Sequence, residues 1–206
     1  MLRKSLFILF VCSILLSNAN AKPDLSEIPS GEYELDLTHA SIIWKVRHFG
    51  LSKYVARFTD FDIQLLLDTE KFENSSVIAT INTQSVSTEY PFPEKKNFDK
   101  TLATGKGWFN GKVFPKATFK STKLTSINET QSKLDGELSF LGVTKPITLE
   151  VTMNGTFESH PFKNAAAIGF SAKSIIQRKD WGLVKHLPNV GNDVQIEIEG
   201  EFFSKN

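Results

Sequence analysis

The feature that most constrains the fold is a two-residue alternation of apolar and polar side chains that recurs along the chain. In residues 40–48, Ile42, Trp44 and Val46 fall on one side of the pattern, and Lys45 and Arg47 fall on the other. This alternation is typical of strands in a sheet with one buried face, because successive side chains point to opposite faces. No segment after residue 21 shows sustained helical periodicity. The sequence therefore predicts an all-β fold.

Similar patterns predict about eight or nine strands, separated by turn residues such as Gly50 and the Gly142–Pro146 stretch. The predicted strands cover residues 31–37, 40–48, 55–68, 76–83, 117–124, 132–141, 147–156, 167–176 and 193–203. Phe58 and Phe61 are three residues apart inside one of them. Because inward side chains recur every second residue, this spacing predicts a bulge or register change between them.

Many strands with short turns leave two architectures open, a two-sheet sandwich and a closed antiparallel barrel. The chain contains 17 phenylalanines. Phenylalanine adds bulk without a polar atom, which suits either a dry core or an apolar cavity. A barrel of about eight strands is wide enough to be filled by side chains or to hold one small ligand. Composition does not separate the two architectures.

The connection over residues 85–115 is longer than the others and contains the only segment with helical spacing. Phe98 and Leu102 are four residues apart, and Asn97 can act as the N-cap. Long ordered connections often cover functional sites. We expect Trp108 and Phe109 in this connection to cover a barrel mouth.

The first twenty-one residues have the parts of a secretory signal. Arg3 and Lys4 precede an apolar run, and Ala19 and Ala21 supply the small-residue pattern that predicts cleavage after Ala21. The run ends at Leu16 and is shorter than the roughly 20 residues that a membrane span needs. We therefore expect export to the periplasm.

Cleavage would remove Cys12, the only cysteine, so disulfides and thiol chemistry are excluded from the mature chain. It would leave 22 basic and 23 acidic residues, because Arg3 and Lys4 are also lost. This near-neutral balance lacks the basic footprint of nucleic-acid binding. Residues 22–30 are expected to form a loose leader, and residues 31–206 a single domain.

Four ordered segments carry a family resemblance. They are GEYELDLTHASIIWKVRHFG at 31–50, FPKATFKS at 114–121, GELSFLGVTKP at 136–146, and RKDWG at 178–182 followed by GNDVQIEI at 191–198. Together they resemble the YceI-like family over residues 31 to about 203. One departure is Ala56, where the family usually has glycine.

The resemblance implies a lipocalin-like antiparallel β-barrel, periplasmic in bacteria, with an elongated apolar pocket. Its ligands would be polyisoprenoids, such as an isoprenoid quinone or a polyprenyl lipid, or a fatty amphiphile. It implies no covalent cofactor, and we expect a carrier, not an enzyme. An open barrel mouth is compatible with transient membrane contact and with a homodimer.

An isoprenoid is held mainly by buried apolar area, and its specificity comes from one or two polar groups that meet its head. His48 ends the inward row of its strand and is a candidate for this contact. The alternative is a histidine paired with nearby backbone or with an acidic neighbour. The predicted ligand-binding residues are Ile42, Trp44, Val46, His48, Phe58, Phe61, Phe119, Phe140, Phe170, Arg178 and Trp181.

Structural roles are the alternative for two polar clusters. Arg178 and Asp180 can form an ion pair that closes a turn against Trp181. Asp36 and His39 are expected to organise a turn through hydrogen bonds to backbone groups. The four histidines show no metal-ligand spacing, so no metal is expected.

Two other functions stay open. A barrel enzyme acting on a hydrophobic substrate would use His48 as its acid or base, but the sequence identifies no second titratable group. A small outer-membrane barrel would carry an apolar outer face. The alternating charges, such as Lys45, Arg47 and Glu197, do not fit such a face.

Overall fold

The computed structural model describes residues 23–205, so the predicted secretory signal lies outside the described residues. The strands are β1 Gly31–Leu35, β2 Ser41–His48, β3 Ser52–Phe58, β4 Phe61–Leu67, β5 Ser76–Asn82, β6 Val86–Ser87, β7 Lys116–Ser126, β8 Gln131–Phe140, β9 Val143–Phe157, β10 Ala167–Gln177 and β11 Val190–Ser204. The α-helix is α1, Phe98–Thr104, and the 3-10 turns are Leu25–Glu27, Leu37–His39, Phe72–Asn74, Thr83–Ser85 and Arg178–Trp181. None of the described helices is long and apolar enough to cross a membrane.

The strands form one antiparallel sheet that closes on itself. β1 and β2 both pair with β11, so they act as one interrupted barrel strand. β3 and β4 form a second such strand, because they pair with β2 and β1 respectively. β5 and β6 form a third, paired with β4 and β3. The result is a closed eight-stranded antiparallel barrel with one helix, as the resemblance implies.

The barrel strands follow the alternation seen in the sequence. In β4, Phe61, Ile63 and Leu65 are buried, whereas Asp62 and Gln64 between them are exposed. The predicted break between Phe58 and Phe61 is confirmed, because it separates β3 from β4. It is held by the hydroxyl oxygen of Ser85, which accepts hydrogen bonds from the backbone N–H groups of residues 59 and 60.

Two tight turns lie at one end of the barrel. Phe49 and Gly50 connect β2 to β3 with φ of 50° and 73°, and Leu141 and Gly142 connect β8 to β9 with φ of 51° and 79°. Left-handed backbone at both central residues matches the twist of a two-residue hairpin, and glycine tolerates it without strain. The second turn is shorter than the sequence predicts, because β9 already pairs with β8 from Val143 onward.

The long connection covers this same end of the barrel. Asn97 caps α1 as predicted, since its side-chain oxygen accepts the backbone N–H of Lys100 at 2.8 Å. Leu102 is buried in a cluster with Phe109 and with Leu183, which follows the Arg178–Trp181 turn. The helix is thus held by apolar contacts above the barrel interior.

Residues 24–30 pack against the barrel, so the prediction of a loose leader is wrong. Ile28 is only 4% exposed and belongs to the main core. The hydroxyl of Tyr33 donates to the carbonyl oxygen of Pro29 at 2.7 Å, and the backbone N–H of Asp24 donates to Thr156 Oγ1 at 3.1 Å. Leu25 and Ile28 are too few, in a short segment, to show a periodicity, so the sequence pattern does not reveal this contact.

The turn expected at Asp36 and His39 is present. The carboxylate of Asp36 accepts the backbone N–H of Thr38 at 2.9 Å and its hydroxyl at 2.7 Å. It also lies 3.0 Å from His39 Nδ1. These hydrogen bonds, first that from the Thr38 hydroxyl and then that from His39, lower the pKa of Asp36 to about 2. The same contact with Asp36 raises the pKa of His39.

Candidate functional site

The barrel encloses an elongated cavity of about 570 Å³. This volume lies within the roughly 300–1,000 Å³ typical of small-molecule sites. Its lining extends from Lys96 and Lys185 at one end to Phe72 and Phe202 at the other. Between these ends the lining side chains are almost all aliphatic or aromatic, because the inward positions of eight strands carry them. An apolar molecule with an extended chain fits such a space.

The exposed members of the lining show where the cavity opens. They are His48, Phe49, Lys96, Lys185 and His186, and every other lining residue in the range 23–205 is buried or half-buried. We call these five residues the mouth. The β2–β3 turn and the loop before β11 meet there, because the backbone N–H of Phe49 donates to the carbonyl of Asn189 at 2.7 Å. Apart from Phe49, the mouth residues are lysines and histidines, so the mouth is mainly polar and basic, whereas the interior is apolar.

Strand β2 contributes the row that the sequence identifies. Ile42, Trp44, Val46 and His48 all line the cavity, and His48 stands at the mouth. The ring of His48 contacts that of Phe49, with centroids 4.8 Å apart. Across the described part of the chain, no hydrogen bond or ion pair engages the His48 ring. Its ring nitrogens are thus free to meet a ligand, and the predicted head contact stays a prediction.

Trp44 lines the cavity and carries an unpaired, buried donor. Its indole nitrogen Nε1 is buried and has no hydrogen-bond partner among residues 23–205. The indole is held in place by Tyr54 and Phe109, whose ring centroids lie 6.4 and 6.1 Å away. A buried polar group without a partner costs about 1–3 kcal/mol. An oxygen acceptor on a ligand, such as a carbonyl or phosphate oxygen, would satisfy this donor.

The predicted phenylalanines divide into two groups. Phe58, Phe119, Phe140 and Phe170 line the cavity, as expected. Phe61 does not line the cavity, so its prediction as a ligand contact is corrected. The break after β3 places its buried ring beside the Leu37–His39 turn, where it borders a separate small recess.

Arg178 lines the cavity, but its guanidinium already donates hydrogen bonds to backbone carbonyls. Its Nε donates to the carbonyl of Gly191 at 2.7 Å and its Nη1 to that of Leu183 at 2.6 Å. Its Nη2 donates to the carbonyls of Lys185 and Val190, both at 2.9 Å. Burial lowers the pKa of this guanidinium.

The ion pair expected between Arg178 and Asp180 is therefore wrong. Carbonyl groups of the loop before β11 and of the first two residues of β11 accept the hydrogen bonds of the guanidinium, and Asp180 is exposed. Trp181 is buried beside the cavity and its Nε1 donates to the carbonyl of Leu138 at 3.4 Å. The RKDWG segment thus holds the loop that forms part of the mouth.

The long connection supplies part of the cavity roof, as predicted. Trp108 and Phe109 both line the cavity. Trp108 lies 5.8 Å from the His186 ring and 5.1 Å from Lys185 Nζ, measured from the centre of its own ring. Sequence reasoning missed Lys96, Lys185 and His186, because they lie in loops without periodicity. The position of Lys96 within the long connection is the signal that points to it, whereas no sequence signal points to Lys185 or His186.

The fold and cavity define a lipocalin-like β-barrel with an apolar interior and a single polar mouth within its described residues. The sequence profile of the YceI-like domain matches residues 33–202. A UPF0312 protein of Pseudomonas fluorescens is 31% identical over 203 residues, which cover 97% of this chain and 98% of that protein. The chain therefore belongs to the YceI-like family.

Solved structures agree with this fold. BcnA of Burkholderia cenocepacia matches with a TM-score of 0.68 and 23% identity, covering 81% of this chain and 98% of that chain. A polyisoprenoid-binding domain of Saccharophagus degradans matches with a TM-score of 0.59 and 14% identity, covering 84% and 98%. Both similarities concern the architecture of the barrel.

Proposed function

We propose that this chain is a periplasmic carrier that holds an isoprenoid or a similar long-chain amphiphile in its barrel. The observation that carries the proposal is the distribution of polarity in the cavity. The apolar interior would hold the chain of the ligand, and the basic mouth would leave its head near water. The Saccharophagus degradans domain of similar fold is described as polyisoprenoid-binding, which supports the same ligand class.

The physical basis is the apolar area that such a chain buries. Each CH₂ group removed from water contributes about 0.8 kcal/mol, so a few isoprene units give substantial affinity without polar contacts. The His48 ring at the mouth would then meet the head group, and the unpaired indole N–H of Trp44 would bond to a polar atom that reaches deeper into the barrel. Such an arrangement binds and releases its ligand without any covalent step.

Native mass spectrometry on gently purified protein tests this proposal. We expect an adduct with the mass of an isoprenoid quinone or a polyprenyl lipid. Ala172→Trp should strongly weaken the adduct, because Ala172 lines the cavity and the indole would obstruct it. Ile175→Trp on the outer face of the same strand is the matched control, since Ile175 is 64% exposed. Equal adducts in both variants would contradict the proposal.

The location and the alternative enzyme function have their own tests. Osmotic shock without detergent should release the protein, and its N-terminal residue should be Lys22. For catalysis, the hydrophobic ligand identified in the adduct is incubated with the protein and followed by mass spectrometry. An unchanged ligand supports a carrier, whereas turnover that His48→Ala abolishes would support an enzyme.

A further inference from the structure

We propose that the mouth end of the barrel docks on an anionic lipid surface. This inference goes beyond ligand binding, because it concerns the outer surface around the opening. Three segments form this surface, residues 47–53, 90–96 and 179–190, which we call the mouth face. Each segment contributes lining to the cavity or directly neighbours a residue that does.

Apolar side chains protrude from the mouth face. Leu51 is 88% exposed and Phe49 55% exposed at the tip of the β2–β3 turn. Val184 and Phe92 are exposed apolar residues on the other two segments. The bond between Phe49 and Asn189 holds the turn against the loop that carries Val184. Clustered exposed apolar side chains mark an interaction surface, and phenylalanine and leucine insert readily at a bilayer interface.

The charge of the mouth face indicates that it suits an anionic partner surface. The three segments contain six exposed lysines or arginines against two acidic residues, although the mature chain as a whole is close to neutral. The basic residues are Arg47, Lys53, Lys95, Lys96, Lys179 and Lys185, and the acidic ones are Glu94 and Asp180. Such an excess attracts anionic lipid head groups. It also disfavours contact with the same face of a second copy, because like charges would meet.

Docking through the mouth face would act on the cavity opening, because the two coincide. Because the apolar tips and the basic residues surround the opening, docking would place the cavity mouth against the head-group layer. If the proposed function holds, the apolar chain of a ligand could then move between bilayer and barrel with little exposure to water. Docking itself needs no ligand, so it is testable independently.

Vesicle flotation tests the proposal with ligand-free mature protein. We expect binding to vesicles of phosphatidylglycerol and phosphatidylcholine, and roughly tenfold weaker binding to phosphatidylcholine alone or in high salt. The double variant Phe49→Ser, Leu51→Ser and the double variant Lys95→Glu, Lys96→Glu should each weaken binding by a similar factor.

Matched controls lie at the other end of the barrel. Phe162 is 88% exposed, as Leu51 is, but belongs to the β9–β10 loop, so Phe162→Ser should bind like the unaltered protein. The double variant Lys123→Glu, Lys133→Glu on β7 and β8 controls for the change in net charge, because it replaces the same number of exposed lysines. Binding unaffected by the mouth variants, or weakened equally by the controls, would overturn the proposal. Loss of a dimer instead, seen by light scattering, would assign the face to self-association and also overturn it.

Discussion

At the scale of single residues, the unpaired indole N–H of Trp44 gives the sharpest test of ligand recognition. Trp44→Phe removes the donor and keeps an aromatic ring in the same place. We expect the affinity for an isoprenoid quinone to fall about fivefold, because one hydrogen bond contributes about 1 kcal/mol. Quenching of intrinsic fluorescence or titration calorimetry measures this change.

The stability of the ligand-free protein provides the control for Trp44. Since the donor is unpaired there, its removal breaks no hydrogen bond within the described chain. Trp181→Phe differs, because it breaks the bond to the carbonyl of Leu138 in a buried site. We expect Trp181→Phe to lower the free energy of unfolding more than Trp44→Phe. Unchanged affinity in Trp44→Phe would remove Trp44 from the recognition site.

Arg178 should act on stability, because its guanidinium donates to four carbonyls, two in the loop before β11 and two in the first residues of β11. Arg178→Met leaves those buried acceptors without donors, so we expect the free energy of unfolding to fall by about 3 kcal/mol or more. Urea unfolding measures the loss. Lys179→Met is the control, because Lys179 is the exposed neighbour of Arg178 in the chain. This substitution should change the free energy of unfolding by about 0.5 kcal/mol or less. Equal stability of the two variants would contradict this role.

The sequence predicts the inward residues better than their roles. Ile42, Trp44, Val46 and His48 follow from strand alternation alone, and all line the cavity. The sequence pattern does not predict that backbone carbonyls accept hydrogen bonds from Arg178, because a residue pattern carries no information about where a loop folds back. For the same reason Lys96 and Lys185 were outside the predicted site.

At the scale of elements, alanine substitutions at two strand glycines distinguish the cost of side-chain overlap from the effect of restricting the backbone. A Cβ on Gly136 in β8 would overlap the Phe119 ring and lie 2.6 Å from the carbonyl oxygen of Lys120. We expect Gly136→Ala to destabilise the protein by about 1–3 kcal/mol, as overpacking does. Thermal unfolding measures this. It should also disturb the cavity, because Phe119 is part of its lining.

Gly155 in β9 is the matched position, since a Cβ there meets no atom within 4 Å. Gly155→Ala should leave stability unchanged or raise it by up to about 1 kcal/mol, because alanine restricts the unfolded chain. A destabilising Gly155→Ala would show that the cost arises from strand backbone and not from the contact with Phe119.

Elements were predictable where the alternation is long and uninterrupted. β10 begins at Ala167, as predicted, and ends one residue later than the prediction. The sequence predicts β9 to begin at residue 147, because Lys145 and Pro146 resemble turn residues. In the structure these two residues already pair with β8. The two-residue strand β6 has too little sequence to show a period. Its position is fixed by pairing with β3.

At the scale of the whole molecule, barrel closure depends on contacts between distant parts of the chain. β1 and β11 pair across almost the full length of the domain, with Tyr33 opposite Ser204. Local alternation cannot distinguish this closure from a sandwich, because both use the same strands. The family resemblance supplied that information, and the pairing of β1 with β11 is the physical reason that it was right.

The packed leader links the proposed cleavage site to the stability of the barrel. Cleavage after Ala21 would leave residues 24–30 in place, with Ile28 in the main core and Ser30 Oγ 2.9 Å from Thr69 Oγ1. The leader thus contacts the β4–β5 turn and, through Asp24, the end of β9, both at the end opposite the mouth. A chain cut further along would lose these contacts.

Ile28→Ala tests whether the leader is part of the folding unit. Because Ile28 is 4% exposed, we expect the free energy of unfolding to fall by about 2–4 kcal/mol. Leu37→Ala, at a site that is 62% exposed, should have little effect. A chain starting at Gly31 should lose at least as much stability as Ile28→Ala in urea unfolding. If that chain matched the stability of residues 22–206, the leader would be dispensable and the barrel would fold without it.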